Sequence, residues 1–223
     1  MCGRFAFYSP AEATAALFGA SAPVPVEPRY NIAPTQYVAA IREDENRARS
    51  LTMLRWGLIP SWAKDPSIGA RMINARAETV AEKPSFRAAY RHRRCLVPAD
   101  GFYEWHREGA GKTPYFISCA SGEPFAFAGL WESWCDEDSG ESIQSTTLIT
   151  TAADTFMASL HHRMPIVLTP AIADRWLAGD DILDDYATSF VPKLKAWPVD
   201  RAVNNARNEG DSLIVAAGKT IES

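Results

Sequence analysis

No apolar run in this 223-residue chain approaches the roughly 18 residues that a membrane-spanning helix requires. No basic segment with a short apolar core precedes the first polar residues, so the pattern of a secretory leader is missing and the expected compartment is the cytoplasm. Cysteine is scarce. Cys2, Cys95, Cys119 and Cys135 are scattered without a C-x-x-C spacing, and the four histidines complete no zinc pattern, so no metal, no cofactor and no disulfide framework is expected. Internal repeats and low-complexity tails are also missing. Positive charge is in deficit, with a formal net charge of -4, which at first argues against a nucleic-acid partner. That average hides an asymmetry: between Arg71 and Arg94 seven basic residues face only Glu78 and Glu82. Local field rather than net charge steers an anionic ligand, so this stretch is either an anion-binding face or a solvated helix surface.

What is present is an ordinary core-forming composition, 47% hydrophobic and 22% charged, and a single domain over residues 1–223 is expected. The opening tetrapeptide Met1-Cys2-Gly3-Arg4 is chemically distinctive. A cysteine after the initiator permits removal of Met1, leaving an amine and a thiol on one residue. A protein α-amine has a pKa of about 7.7–8.0 against about 10.4 for lysine, so near neutral pH a sizeable fraction is a free nucleophile. Such an amine attacks aldehydes to give a Schiff base, and the neighbouring thiol can close on the imine carbon as a thiazolidine. Taken alone, the tetrapeptide favours the plainer reading, a small residue near a frayed end with no role.

The chain reads as mostly β. A short strand over Arg4–Tyr8 precedes a helix with Ser9 as N-cap, Pro10 at the first helical position and Glu12 completing a capping box, stopping at Gly19. Four prolines between Pro23 and Pro34 argue against regular structure there, and Arg29-Tyr30-Asn31-Ile32-Ala33-Pro34 is read as a stiff loop, a surface connection or a ligand contact. Tyr37–Arg42 and Arg49–Leu58 form a hairpin about Glu43–Asn46. A turn between Pro60 and Pro66 carries Trp62. Further strands are expected at 95–98, 101–105, 114–118, 124–131 and 145–150, with a hairpin loop at 108–112, a helix over Asp154–Leu160 and another opened by Thr169-Pro170 and closed by Gly179.

Three stretches put ionisable groups where scaffolds present chemistry. Asn74, Arg76 and Glu78 alternate, and in extended conformation all three project from one face. Glu104 sits between Tyr103 and Trp105, where desolvation raises a carboxyl pKa toward general-acid use near neutral pH; facing solvent it would be an ordinary strand glutamate. His161, His162 and Arg163 follow a helix and precede the apolar run Ile166-Val167-Leu168.

Taken together, the motifs at 1–4, 29–34, 56–60, 73–78, 100–105 and 161–165 closely resemble the SOS-response-associated peptidase (SRAP) family, over Met1 to about Leu168 with a weaker echo at Val203-Asn204-Asn205. The resemblance implies an α+β fold, a curved antiparallel sheet or barrel-like β core with peripheral helices, in agreement with the strand count. It implies a monomer that recognises abasic sites in single-stranded DNA, binds no membrane, and associates with the nucleoid when on DNA. It supplies the aldehyde, the ring-opened deoxyribose, captured by Cys2 as a thiazolidine DNA–protein cross-link, with associated lyase and autoproteolytic activity. By the same resemblance Asn74 orients the amine, Glu104 handles protons at the opened sugar and His161 assists Schiff-base chemistry and reversal. Arg4, Arg76 and Arg163 are implied phosphate contacts, Asn31, Pro34 and Thr150 line the groove, and Trp62 stacks on or wedges against a base. The H-x-R spacing selects His161 and leaves His162 without chemistry. Ala63 stands where some members carry a second tryptophan, which weakens any two-ring wedge, each stack being worth about 1–3 kcal/mol. Two alternatives remain: a thiol peptidase using Cys2, Glu104 and His161, and a non-catalytic single-strand binding module.

Overall fold

A computed structural model describes residues 2–109, 111–184, 186 and 191–223. In chain order its strands begin with β1 (Phe5–Phe7), β2 (Ala20–Ser21), β3 (Arg29–Ile32), β4 (Tyr37–Glu43) and β5 (Arg49–Trp56). They continue with β6 (Asn74–Arg76), β7 (Arg94–Ala99), β8 (Gly101–Glu108), β9 (Gly111–Cys119) and β10 (Phe125–Cys135). The last are β11 (Ser142–Ala152), β12 (Arg163–Pro165), β13 (Val167–Leu168), β14 (Leu194–Pro198) and β15 (Ile221–Glu222). Short helices α1 (Ala11–Leu17), α2 (Arg87–His92), α3 (Thr155–Ala158) and α4 (Pro170–Ala178) lie between them.

Strands β11, β10, β7, β4 and β5 pair in that order, and β5 pairs again with β11, so the five close into a barrel with no free edge among them. A second sheet, in the order β15-β14-β9-β8-β1-β3, is joined to it by aromatic packing. Phe5 from β1 meets Trp56 of β5 at 5.2 Å and Phe127 of β10 at 5.5 Å, both edge to face, and Phe102 of β8 meets Phe127 at 6.0 Å. All four rings are buried, so Phe5 of β1 and Phe102 of β8 fix how the second sheet seats on the barrel. The α+β, barrel-like architecture with peripheral helices is therefore present.

Local signals decide some ends and lose others. In α4, Pro170 occupies the first turn and Gly179, with φ +94, ends the helix in the left-handed region. Asp154 caps α3 by accepting from Met157 N–H at 2.7 Å. The capping box expected at Ser9 does not form. Asp100, in the turn between β7 and β8, outcompetes it: its carboxylate accepts from Tyr8 N–H at 2.6 Å, Ser9 N–H at 2.8 Å and the Ser9 hydroxyl. The helix then starts beyond Pro10 with no side-chain cap.

Two further expectations change. Arg29–Ile32 is a strand, because β1 offers it an antiparallel partner (Phe5 opposite Ile32), and the prolines flank it rather than interrupt it. The alternation of residues 74, 76 and 78 holds only through Arg76: β6 pairs in parallel with β11, and the chain then turns into a 3-10 segment, Ala77–Thr79, that carries Glu78 out of the strand's register. The expected hairpin at 108–112 connects β8 to β9, with Ala110 outside the described residues. Gly57 has φ +126 and packs so closely on Gly69 that a Cβ there would collide with the Gly69 carbonyl. Among the described residues no helix is long and apolar enough to cross a membrane.

Candidate functional site

The β1–β8 pairing builds the site. Phe5 lies opposite Phe102 and Ala6 opposite Gly101, and Tyr103 N–H donates to the Arg4 carbonyl at 2.9 Å. Continued toward the amino terminus, this register brings the Cys2–Gly3 segment alongside Glu104. Asn74, at the start of β6, closes the other side: its Nδ2 donates to the Cys2 carbonyl at 2.8 Å. Its Oδ1 is buried without a hydrogen-bond partner among the described residues.

Cys2 is fully buried, and its thiol lies 3.9 Å from the Arg4 carbonyl oxygen. Burial pushes the thiol pKa up, and the negative charge of Glu104 pushes it further the same way, so the sulfur is held as a protonated thiol. Glu104 is 3% exposed. Burial raises its pKa, partly offset by the charge of the amino terminus and by His162. His161 Nδ1 lies 3.0 Å from the Arg163 backbone nitrogen and 3.1 Å from the Arg163 carbonyl oxygen, so the Arg163 backbone holds the ring in place. Burial and then the charge of the amino terminus lower its pKa, favouring the neutral ring.

Glu104, His161 and His162 line one open groove of about 620 Å³, together with Trp105, His106, Arg107 and Lys112. The sequence reading missed the last four. Arg107 and Lys112 face each other across the β8–β9 hairpin, a pairing that only the strand register reveals. A separate cavity of about 170 Å³, lined by Phe7, Ile32, Val38 and Met53 together with Glu27 and Arg29, shares no lining residue with this groove. Among the described residues no cluster of His, Cys, Asp and Glu could hold a metal ion.

The residues implied as DNA contacts divide into two groups. Trp62, 58% exposed, Arg76, also exposed, and the half-buried Pro34 face outward. Asn31 and Thr150 are fully buried. The Asn31 amide donates to the carbonyls of Asn205 at 3.0 Å and Asn208 at 2.9 Å and accepts from Arg4 Nη1 at 2.7 Å. Arg4 Nη1 also donates to the Val203 carbonyl at 2.8 Å, which ties the segment following Cys2 to residues 201–208. Thr150 holds Arg163, whose Nη2 donates to the Thr150 carbonyl at 2.6 Å and to its hydroxyl at 3.2 Å. The Arg163 guanidinium is also bidentate on Glu78, which holds that carboxyl below the usual range.

The basic stretch from Arg71 to Arg94 is likewise not one face. Arg93 pairs with Glu132 at 2.7 Å, and Arg94 lies 4.4 Å from both the Tyr90 and Trp176 rings while donating to three carbonyls. These two arginines pin α2 and α4 to the barrel, whereas Arg71, Arg76, Lys83, Arg87 and Arg91 are exposed, with Arg76 on β6 beside Asn74.

Comparison with known proteins identifies the family. The family model for "SOS response associated peptidase (SRAP)" matches residues 1–206. The chain is 41% identical over 225 residues to the abasic site processing protein YoaM of Bacillus subtilis, covering 97% of this chain and 98% of the relative. It is 34% identical over 226 residues to the abasic site processing protein YedK of Escherichia coli, covering 96% and 99%. A crystal structure of a protein from Bacteroides thetaiotaomicron superposes with a TM-score of 0.84 at 26% identity, covering 97% of this chain and all of that one. With its motifs, fold and family match in agreement, the chain belongs to the SOS response associated peptidase (SRAP) family.

Proposed function

We propose that this protein recognises abasic sites in single-stranded DNA and, once Met1 is removed, captures the opened sugar on Cys2. The relatives' names, abasic site processing proteins, supply the substrate class. The Cys2 amine adds to the aldehyde carbon, a proton reaches the oxygen from Glu104, and water leaves to give the imine. The Cys2 thiol then adds to the imine carbon, its proton passing to nitrogen, and the thiazolidine closes. Neutral His161 accepts and returns protons at the nitrogen, and the buried Asn74 Oδ1 accepts an amine hydrogen so that the lone pair faces the groove. Before the ring closes, the same imine permits elimination at the sugar, which is the associated lyase activity.

The observation that carries this reading is the buried Cys2, its carbonyl held by Asn74 and its thiol under the charge of Glu104, with Glu104 and His161 lining one groove. A thiol peptidase needs a thiolate, and thiolates are stabilised by cations or helix N-termini in partly open surroundings. At Cys2, burial and Glu104 oppose ionisation more than the charge of the amino terminus favours it, so nitrogen attacks first. For single strands the outward groups suffice: an exposed ring for stacking and a few cations for the backbone, with no base pair to open.

Incubating the protein with abasic single-stranded DNA tests the reading. A heat-stable cross-link is expected, with Cys2→Ala abolishing the thiazolidine. Cys2→Ser keeps the amine and should yield a band only after borohydride reduction of the imine. The absence of any covalent band with a wild-type protein whose amino-terminal Cys2 is verified by mass spectrometry sinks the proposal; peptide hydrolysis without DNA would favour the peptidase.

A further inference from the structure

The groove that holds Glu104 and His161 extends along β8 to the β8–β9 hairpin, where Arg107 and Lys112 line it. Both of these residues are exposed, and they stand directly opposite each other in the strand register. Residues so placed have Cβ atoms about 4.5–5.5 Å apart, and like charges at that spacing destabilise a sheet. No carboxylate relieves the pair: among the described residues neither side chain makes an ion pair or a hydrogen bond. Nor does the groove offer one, since among its described lining residues Glu104 alone is acidic, and it is buried. Two unpaired cations at the end of a groove that leads from the reacting residues call for an anion from outside the protein.

We propose that Arg107 and Lys112 form a phosphodiester-binding site for the strand on one side of the lesion. This rests on the reading of abasic single-stranded DNA as the ligand. A phosphate between the two heads turns a repulsive pair into a bridged one through charge-assisted hydrogen bonds. Three residues of β8 separate Arg107 from Glu104, about 10 Å at about 3.3 Å each, so the cations reach the backbone beyond the opened sugar and not the sugar itself. Because β8 leads away from Glu104 in one direction, the pair serves one flank only. Phosphate contacts fix the register of a bound strand without reading its bases, which suits a lesion that occurs in any sequence. Arg76, on β6, does not line this groove, so its contact is independent of the hairpin's.

Equilibrium binding tests this on single-stranded oligonucleotides that carry a tetrahydrofuran abasic analogue at the centre, at the 5′ end or at the 3′ end. The analogue has no aldehyde, so binding is read apart from cross-linking. On the central analogue the double variant Arg107→Ala/Lys112→Ala should show a salt slope shallower by about 0.7–1.4, for one or two phosphates released. Taken between about 0.1 M and 1 M salt, that slope is an affinity loss of about 5–25-fold at the lower concentration. The loss should persist on one end-placed oligonucleotide and vanish on the other, which lacks the flank that the hairpin holds. Tm should not fall, because the change removes a like-charge pair from an exposed position. An unchanged slope overturns the inference, as does an equal loss on both end-placed oligonucleotides or a loss accompanied by a lower Tm. A wild-type protein that binds the analogue yet forms no cross-link on natural abasic DNA overturns the reading of Cys2 instead.

Discussion

Replacing Asn31 by alanine removes a buried amide whose partners are all within the protein. Two well-formed bonds to the Asn205 and Asn208 carbonyls are lost, along with a charge-assisted bond from Arg4. At about 1 kcal/mol for each amide–carbonyl bond and about 1.5–3 for the bond to the guanidinium, the expected loss of stability is about 3–5 kcal/mol. In a chain of this size each kcal/mol lowers Tm by about 2–4 °C, so Asn31→Ala should melt about 6–20 °C below wild type. Calorimetry measures that directly. DNA affinity, measured well below the melting range and normalised to folded protein, should stay within about a factor of three, because the side chain presents no surface to a ligand. An unchanged Tm with lost affinity refutes the reasoning and returns Asn31 to the role of a DNA contact.

Other substitutions separate chemistry, binding and folding. Glu104→Gln should slow cross-linking about a hundredfold in single-turnover assays while leaving DNA affinity nearly intact; equal rates would remove Glu104 from proton transfer. The same variant tests linkage. The folded carboxyl titrates above its unfolded value of about 4.3, so the native state binds the extra proton between the two and wild-type stability falls as pH rises through that window. Glu104→Gln should therefore melt above wild type at neutral pH and coincide with it below about pH 4. Trp62→Ala should weaken single-strand binding by about 1–3 kcal/mol in a fluorescence titration without moving Tm, since the ring is largely exposed. Gly57→Ala, which needs an L residue at φ +126 against the Gly69 carbonyl, should cost at least about 1–3 kcal/mol in denaturant unfolding.

Strands β1, β4, β5 and β7 to β11 were legible because their residues alternate or run apolar between clear turns, whereas β3 was hidden among prolines, and α4 was legible because Pro170 and Gly179 mark its ends. The components of the site were legible as types: an aminothiol, an amide, a carboxyl among aromatics, a histidine at a junction. Their meeting was not. Cys2 reaches Glu104 through the β1–β8 register, and Asn74 reaches Cys2 because β6 adds in parallel to β11, pairings between segments about a hundred and about seventy residues apart. Polar residues that turn inward were the harder case. Asn31 and Thr150 sit beside prolines or in a threonine-rich strand, where nothing local shows that distant carbonyls and Arg163 satisfy them inside. Asp100 likewise captures Ser9 from across a turn, defeating a local capping pattern.

The arginines bring the same distinction to affinity. Arg76 is exposed, whereas the Arg163 side chain is 13% exposed and committed to Glu78 and Thr150. Each phosphate neutralised on a single strand contributes about -0.7 to the slope of log affinity against log salt. Arg76→Ala should therefore make that slope shallower by about 0.7 and weaken binding without changing Tm. Arg163→Ala should leave the slope unchanged and lower Tm, because it leaves Glu78 and the Thr150 carbonyl without their donor. The contacts that hold the His161 ring survive the change, since they come from the Arg163 backbone, so any slower cross-linking would report loosening of the segment rather than a lost contact to the ring. If Arg163→Ala instead shortens the slope as much as Arg76→Ala, bound DNA draws the guanidinium off Glu78. Arg163 would then be a phosphate contact held in reserve by an internal carboxylate.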